Sequence, residues 1–489
     1  MKTLADKYSL WVIILFSSVI IFLNISNPPK RILTYDVFGY YLYLPGTFIY
    51  HELEYSDFTK LNQINEKYKV SETLYQIVRA PNGKSLDKYS MGMALLYLPF
   101  FLLAHFFALI SGFPADGFSD PYQYVMLAGG LVYVILGVYM LRKILLKFFT
   151  DKIVAISLIF LLFGTNFIYK AAFKGISPHT VLFTVYAFII WFTIKWHEKH
   201  EARYSWALGL SCGLATLARP SEIVCFIIPL FWGVTGWTDL VAKIKMLFKE
   251  RRHLVIIAAG VLLVWLPQLI HWKLITGDLL YYSYDNPGEG FEFLRPFVLQ
   301  VLIGFRKGWL IYTPMMIFSL IGLYHLYRKN RELFLSILIF FILNLYIVSS
   351  WSCWWYAESF GQRALVQSYA LMAIPFTCFA GYVINSYSKG LKIAVFLLAS
   401  FFFALNSFQI WQLRHGILDA SRMTRAYYFA TFGETKLKPG QKDLLIIQRP
   451  STSREYLPAD KQFDSREVAK IDMETLKDGI ESHYDTSIV

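Results

Sequence analysis

An all-α polytopic membrane protein is the fold class this sequence predicts, on three observations. The 489 residues are 56% hydrophobic and 18% aromatic, with a mean hydropathy of +0.43. Charged residues make up only 17%, against roughly 25% in soluble proteins. Charge-poor stretches also recur at close to the roughly 20 residues that cross a bilayer as a helix. The net charge of +13 would point to nucleic acid in a soluble chain. In a membrane protein Lys and Arg gather in cytoplasmic loops for topological reasons, so no nucleic-acid partner is implied. Of the four cysteines, Cys212, Cys225 and Cys378 lie inside apolar runs and Cys353 beside one. Without metal-ligand spacing or a disulfide framework, they read as buried structural thiols.

Taken in order, the candidate spans are 8–25, 91–111, 121–141, 153–169, 178–194, 204–218, 223–238, 254–272, 309–327, 333–350, 364–385 and 393–413. The first follows "MKTLADK" and is not followed by a small-x-small cleavage site in "NISNPPKR", so it reads as an uncleaved anchor. Basic clusters recur after every second later span: "RKILLKFFTDK" from Arg142, "KWHEKHEAR" from Lys195, "KIKMLFKERR" from Lys243, "YRKNR" from Tyr327 and "SKGLK" from Ser388. These loops are expected to be cytoplasmic. The turns around Lys170–Pro178, Arg219, Ile275–Gly308 and Trp351–Arg363 then share the opposite side. Charge leaves open whether 91–111 crosses, and with it the side of Asp36 in "YDVFGYYLYLPG". Beyond Leu413 the chain turns polar, with "KLKPGQKDLLIIQRP" read as a short strand and "DSREVAKIDMETLKDGIES" as a weak helix.

The order of motifs resembles that of the GT-C glycosyltransferases, in the branch that includes protein O-mannosyltransferases and the lipid A aminoarabinose transferase. The matching pieces are Asp36 in the first outer loop, "DKYSMGMALLYLPF" from Asp87, "FKGISPHTVLF" from Phe173, "LATLARPSEIV" from Leu214, "LIGFRKGWLIYTP" from Leu302 and "WSCWWYAESFGQRALVQSYALMAIP" from Trp351. The likeness implies a GT-C-like transmembrane domain over 1–413. Its first outer loop, 26–120, would carry surface-lying helices in place of a crossing at 91–111, giving about 11 spans. Residues 414–489 would form a small polar extracytoplasmic tail. It also implies a polyprenyl-phosphate or pyrophosphate sugar as donor, an extracytoplasmic lipid, glycan or protein hydroxyl as acceptor, inversion at the anomeric carbon, and a cell membrane, most naturally a bacterial inner membrane. The sequence departs from the family in pairing no second acid with Asp36 and in having no acidic doublet in the second outer loop. No cofactor is required, and a divalent metal stays open without an acidic cluster to support it.

Such a transfer needs a carboxylate to take the proton of a poorly nucleophilic hydroxyl, and Asp36 is the candidate base. The alternative is that Asp36 caps a helix starting at Val37. The leaving lipid phosphate calls for fixed cations. Arg219, Arg306, Lys307 and Arg363 fall in outer turns. Their plainer readings are an ion pair of Arg219 with Glu222, lipid anchoring by Arg306 and Lys307, and a local pair of Arg363 with Glu358. Tyr40, Tyr41, Lys88, Lys174, His179, Trp354, Trp355 and Glu358 complete the candidate substrate contacts. Interfacial packing or membrane anchoring is the alternative for the tyrosines, the histidine and the tryptophans. A transporter or flippase, or a non-catalytic scaffold, is the competing function class. A transporter would be expected to show paired halves, and none is visible.

Overall fold

The computed structural model describes residues 7–29, 31–284 and 290–446. In hydrocarbon each backbone N–H and C=O must be satisfied within the segment, which selects helices wherever the sequence is long and apolar. The chain opens with α1 (Tyr8–Ser26), then α2 (Tyr35–Pro45) and α3 (Thr59–Tyr68). An antiparallel ribbon of β1 (Ile77–Arg79) and β2 (Ser85–Asp87), with Val78 opposite Leu86, leads into α4 (Gly92–Ser111). There follow α5 (Asp120–Leu145), α6 (Asp151–Phe163), α7 (Phe167–Phe173), α8 (Pro178–Lys199) and α9 (Ala202–Ala218). A 3-10 turn, Pro220–Phe226, runs into α10 (Ile227–Phe231), and α11 (Trp237–Lys249) into α12 (Arg251–Thr276). The remainder comprises α13 (Val298–Ile303), α14 (Trp309–Tyr312), α15 (Ile317–Lys329), α16 (Arg331–Ser349), a 3-10 turn (Arg363–Ser368) continuing into α17 (Tyr369–Asn385), α18 (Lys389–Arg414) and α19 (Arg425–Thr431).

Eight described helices are long and apolar enough to cross a membrane, and the pair α6–α7, bent by 65°, makes a ninth candidate. Contacts at the helix ends decide the parity of α4, which is one of the eight. Ser9, at the start of α1, accepts from Arg142 Nε near the end of α5 at 2.6 Å. Just past the other end of α1, Ile32 N–H donates to Gln123 Oε1 at the start of α5, at 2.9 Å. α1 and α5 are therefore antiparallel neighbours, and residues 27–119 leave and return on one side. A single crossing by α4 is incompatible with this. Instead α4 folds back along the first half of α5: Tyr133 donates to Leu96 O at 2.6 Å, and His105 Nδ1 meets the Tyr122 hydroxyl at 2.5 Å. Its start is wedged against the end of α9, where a side chain at Gly92 would place its Cβ 2.1 Å from Ala218 N.

With α4 set aside, seven of the eight described long helices remain, α1, α5, α8, α12, α16, α17 and α18, with the bent pair α6–α7 an eighth candidate, and α9, the short Pro220–Phe231 helix and α14–α15 pack among them as shorter helices. The basic loops meet one another at one end, through Arg142–Asp151 at 3.6 Å, Lys147–Glu198 at 2.8 Å and His200–Glu250 at 3.1 Å. At the Asp36 end, Arg414 reaches Asn27 Oδ1 at 3.0 Å. α17 is the central helix, almost wholly buried, whereas α12 and α18 turn most of their surface outward. Apolar lipid offers no hydrophobic drive between helices, so close packing by small residues carries the contact. At the α9–α12 seam Gly209 and Gly260 lie against each other and against Ile257.

The short strand expected in "KLKPGQKDLLIIQRP" is not formed in its described part, which holds a 3-10 turn at Gln441–Leu444. Local hydrogen bonds such as Asp443 N–H to Gly440 O take the place of a strand partner. The helix expected in "DSREVAKIDMETLKDGIES" lies outside the described residues. None of the four cysteines forms a disulfide, and Cys212, Cys225 and Cys378 are buried.

Candidate active site

The site forms where α2 meets the loop before α17. Thr34, and not Asp36, is the N-cap of α2: its carbonyl accepts from Val37 and Phe38 N–H. Asp36 lies inside the first turn, its carboxylate directed to other partners, so the capping alternative does not hold. Tyr75 and Tyr89 donate to Asp36 Oδ1 at 2.7 and 2.8 Å, and Arg363 Nη2 donates to Oδ2 at 2.9 Å. Burial favours the neutral acid, but Arg363, the two tyrosine hydroxyls and Lys88 outweigh it and hold Asp36 well below the usual carboxylate range. Burial and the Asp36 charge push the Tyr75 and Tyr89 hydroxyls well above theirs, which keeps both as donors.

Two strained segments present this pair. Tyr35, beside Asp36, has φ 51°, and Tyr356 and Ala357, in the loop that delivers Arg363, have φ 50° and 51°. Side chains larger than glycine occupy that region at a cost, and such outliers cluster where function fixes the backbone. Tyr35 is pinned through its N–H to Val70 O at 2.8 Å and through its carbonyl, which accepts from Gln76 Nε2 at 3.0 Å. The ribbon positions the other wall. Buried Asp87 accepts the Tyr89 N–H at 2.8 Å, and Lys88 N–H donates to Gln76 O at 2.7 Å. The Lys88 ammonium thereby lies over the rings of Tyr75, Tyr89 and Tyr284, at 4.7, 5.4 and 5.7 Å.

A second layer of cations surrounds the pair. Arg219, at the end of α9, meets His179 Nδ1 at 3.4 Å and faces the Tyr356 ring at 5.7 Å. In place of the expected alternative, an Arg219–Glu222 ion pair, the two are charged neighbours without a contact between them. Glu222 instead accepts from Tyr186 at 2.7 Å and Gln367 Nε2 at 2.9 Å, and Gln367 Oε1 in turn holds His179 at 3.1 Å. Lys174 pairs with Glu358 at 3.7 Å, so Glu358 is not the partner of Arg363. Lys170, on α7, has Arg363, Lys174, Lys307 and Asp36 as charged neighbours. Arg306 donates to Ser421 O at 2.9 Å and stacks on Trp355 at 3.8 Å, while Lys307 binds the carbonyls of Ser359 and Ala420. These two residues tie the loop at 351–363 to the segment after α18. Among the described residues, no three His, Cys, Asp or Glu side chains gather where they could hold a metal ion. A polar cavity of about 310 Å³ opens beside Glu358, lined also by Tyr169, Asp419, Arg422 and Lys442.

No protein-family model matches the chain, and no curated protein does. Its fold is similar to that of ArnT from Cupriavidus metallidurans bound to undecaprenyl phosphate, at 12% identity over 86% of this chain and 68% of that one, with a TM-score of 0.49. It is similar also to archaeal oligosaccharyltransferase AglB from Archaeoglobus fulgidus in complex with an inhibitory peptide and a dolichol-phosphate, at 12% identity over 89% and 59%, with a TM-score of 0.42. The apo form of the Archaeoglobus fulgidus oligosaccharyltransferase gives 13%, 91%, 60% and 0.47. The chain thus spans about two thirds of the first structure and three fifths of the others.

Of the residues expected at the site, Asp36, Tyr40, Lys88, Lys174, His179, Arg219, Glu358 and Arg363 come together. Tyr40 packs at a tilt against Tyr89 with centroids 4.4 Å apart. Tyr41 points into the packing of the surface helix, its hydroxyl donating to Gly117 O at 2.5 Å. Trp354 is fully buried on Phe297, and Trp355 lies under Arg306, so the recess is walled by tyrosines where tryptophans were expected. Tyr75, Tyr89, Tyr284, Tyr356 and Lys170 were not anticipated. Among 33 tyrosines nothing marks these four, but a lysine inside "NFIYKAAF" is a charge in an apolar helix and carries its own signal.

Proposed function

We propose that this protein is a GT-C-type membrane glycosyltransferase that moves a sugar from a polyprenyl-phosphate donor to a hydroxyl-bearing acceptor. The observation that carries this reading is the Asp36 carboxylate, bonded to Arg363 at 2.9 Å and with Lys88, Lys170 and Arg219 as further cations nearby, at one end of a membrane bundle. A base beside a cluster of cations serves a reaction in which a proton is taken from one oxygen while negative charge grows on another. The basic loops at the far end support an extracytoplasmic site, with the described residues just after Leu413 on the same side.

The two oxygens of Asp36 divide the work. Oδ1 is occupied by Tyr75 and Tyr89, which fix the carboxylate, whereas Oδ2 is held by Arg363 alone among the described residues. As long as Arg363 stays there, Asp36 is a weak base. When the donor phosphate draws the guanidinium away, Oδ2 is released and its proton affinity rises, so base and phosphate binder are armed together. Arg219, Arg363 and Lys88 meet the phosphate, and His179 orients Arg219. Tyr40 and Tyr284 line the sugar side. Arg306 and Lys307 act from behind the loop, adding positive field while holding its carbonyls. The acceptor, a lipid, glycan or protein hydroxyl, approaches past Glu358 from the polar cavity.

The test is a comparison of membrane glycolipids and glycoproteins from cells with and without the gene. One glycosylated species should disappear, return with the wild-type gene, and stay absent with Asp36→Asn. Unchanged profiles, or restoration by Asp36→Asn, would remove the reading.

A further inference from the structure

At the opposite end of the bundle from Asp36, α11 joins the short helix α10 to the start of α12. Within it Trp237, Ile244 and Phe248 fall at i, i+7 and i+11, a spacing that puts them on one face of a helix. All three are exposed, Trp237 and Phe248 by 77% and 72%. The rest of α11 holds that face outward. Lys243 is buried, its ammonium donating to Trp232 O at 2.6 Å and meeting His197 at the end of α8, while Met246 and Leu247 pack against the core.

Cations flank the apolar face. Lys245 and Lys249 each follow one of its members by one residue, about 100° further round the helix, and both are exposed, as are Arg251 and Arg252 at the turn into α12. The nearby acids are engaged elsewhere: Asp239 accepts the Thr235 N–H at 3.1 Å, and Glu250 pairs with His200 at 3.1 Å. Just beyond the arginines, the exposed Leu254 and Val255 begin the outward, apolar surface of α12. The face of α11 therefore sits where a membrane-crossing helix starts. An aromatic and aliphatic face edged by basic residues is the pattern of a helix lying in the plane of a bilayer interface, its rings among acyl chains and its cations at the headgroups. We propose that α11 lies in the membrane interface and binds anionic phospholipid headgroups through Lys245, Lys249, Arg251 and Arg252, with Trp237, Ile244 and Phe248 seated in the lipid. This surface is remote from Asp36 and does not depend on the glycosyltransferase reading.

The experiment reads Trp237 fluorescence in the full-length protein in nanodiscs, as the difference between wild type and Trp237→Phe. Brominated acyl chains are carried either by phosphatidylcholine or, at the same mole fraction, by phosphatidylglycerol. Both lipids should quench Trp237, and the phosphatidylglycerol form at least about twofold more strongly, because each basic residue near the surface adds to the attraction for an anionic headgroup. In the combined Lys245→Gln, Lys249→Gln, Arg251→Gln and Arg252→Gln variant the two lipids should quench equally. No quenching by either lipid, as a face left in water or covered by a protein partner would give, overturns the proposal. Equal quenching in wild type, or an undiminished preference in the charge variant, overturns it as well. If the fourfold variant does not assemble, Lys245→Gln with Lys249→Gln decides: a preference cut to about half supports the assignment, and an unchanged one overturns it.

Discussion

Replacing Asp36 by Asn separates chemistry from architecture at this site. The amide oxygen of the asparagine can still accept from Tyr75 and Tyr89, so the contacts at 2.7 and 2.8 Å survive while the charge opposite Arg363 is lost. Asp36 and Arg363 keep 30% and 20% of their side-chain surface, which places the pair nearer an exposed than a sealed one, worth about 1 kcal/mol. A loss of that size leaves a fold of ordinary stability folded. The general-base contribution is larger, about 10²–10⁴-fold in rate, or roughly 2.7–5.5 kcal/mol of barrier. Turnover of a lipid-linked donor by the purified variant should therefore fall by that factor. Donor binding should stay equal or tighten, because Arg363 is no longer engaged. Near wild-type transfer would refute the assignment, and so would weakened donor binding in a folded variant. The pH profile supplies a second check. The folded pKa of Asp36 is depressed, so its contribution to stability is present above the unfolded value of about 3.9 and is lost only as pH falls through the lower folded value. In the free enzyme kcat/KM should then show no acid limb from Asp36 between about pH 7.5 and 4.5. A limb near pH 5 that vanished in Asp36→Asn would show that Arg363 does not hold the acid in solution.

The remaining expectations concern the cations, the topology and the packing. Arg219→Ala and Arg363→Ala should each weaken binding of undecaprenyl phosphate by roughly tenfold or more, as a charge-assisted contact is lost; unchanged affinity in both would leave them structural. Transfer should persist in chelator, since side-chain cations are proposed to meet the leaving phosphate; activity abolished by EDTA and restored by a divalent ion would contradict this. Cysteine at Lys60 should react with an impermeant thiol reagent from outside and cysteine at Lys199 only after the membrane is opened, both side chains being well exposed; the reverse pattern would invert the proposed orientation. Gly322→Ala would place Cβ 2.0 Å from Pro375 O and should cost about 1–3 kcal/mol by overpacking, read as a lower Tm with intact donor binding; an unchanged Tm would mean the α15–α17 contact is looser than described.

What the sequence disclosed and what it hid follow from the reach of its signals. Charges that interrupt apolar runs are conspicuous, because each must be explained against a hydrocarbon background, and this is how Asp36, Lys88, Arg219 and Arg363 were legible. The pairing of Asp36 with Arg363 spans 327 residues, and no local period encodes it. The turn at Arg219 was nearer to hand. An Arg219–Glu222 pair at i and i+3 needs helical backbone, yet Pro220 disfavours the α region for the residue before it, and Arg219 is extended at φ −150° and ψ 117°. That extension ends α9 early and swings the guanidinium toward His179, leaving Glu222 to Tyr186 and Gln367. Lys170 was read as the edge of a turn because 153–169 was taken as one straight span. The 65° bend between α6 and α7 instead carries Lys170 inward on a second short helix. A polar side chain moved inward by a broken helix is a recurring way to build sites within membranes, where irregular backbone is tolerated only when protein buries it or it lines a cavity. The break at Gly164–Asn166 is therefore part of what makes a lysine available beside Asp36.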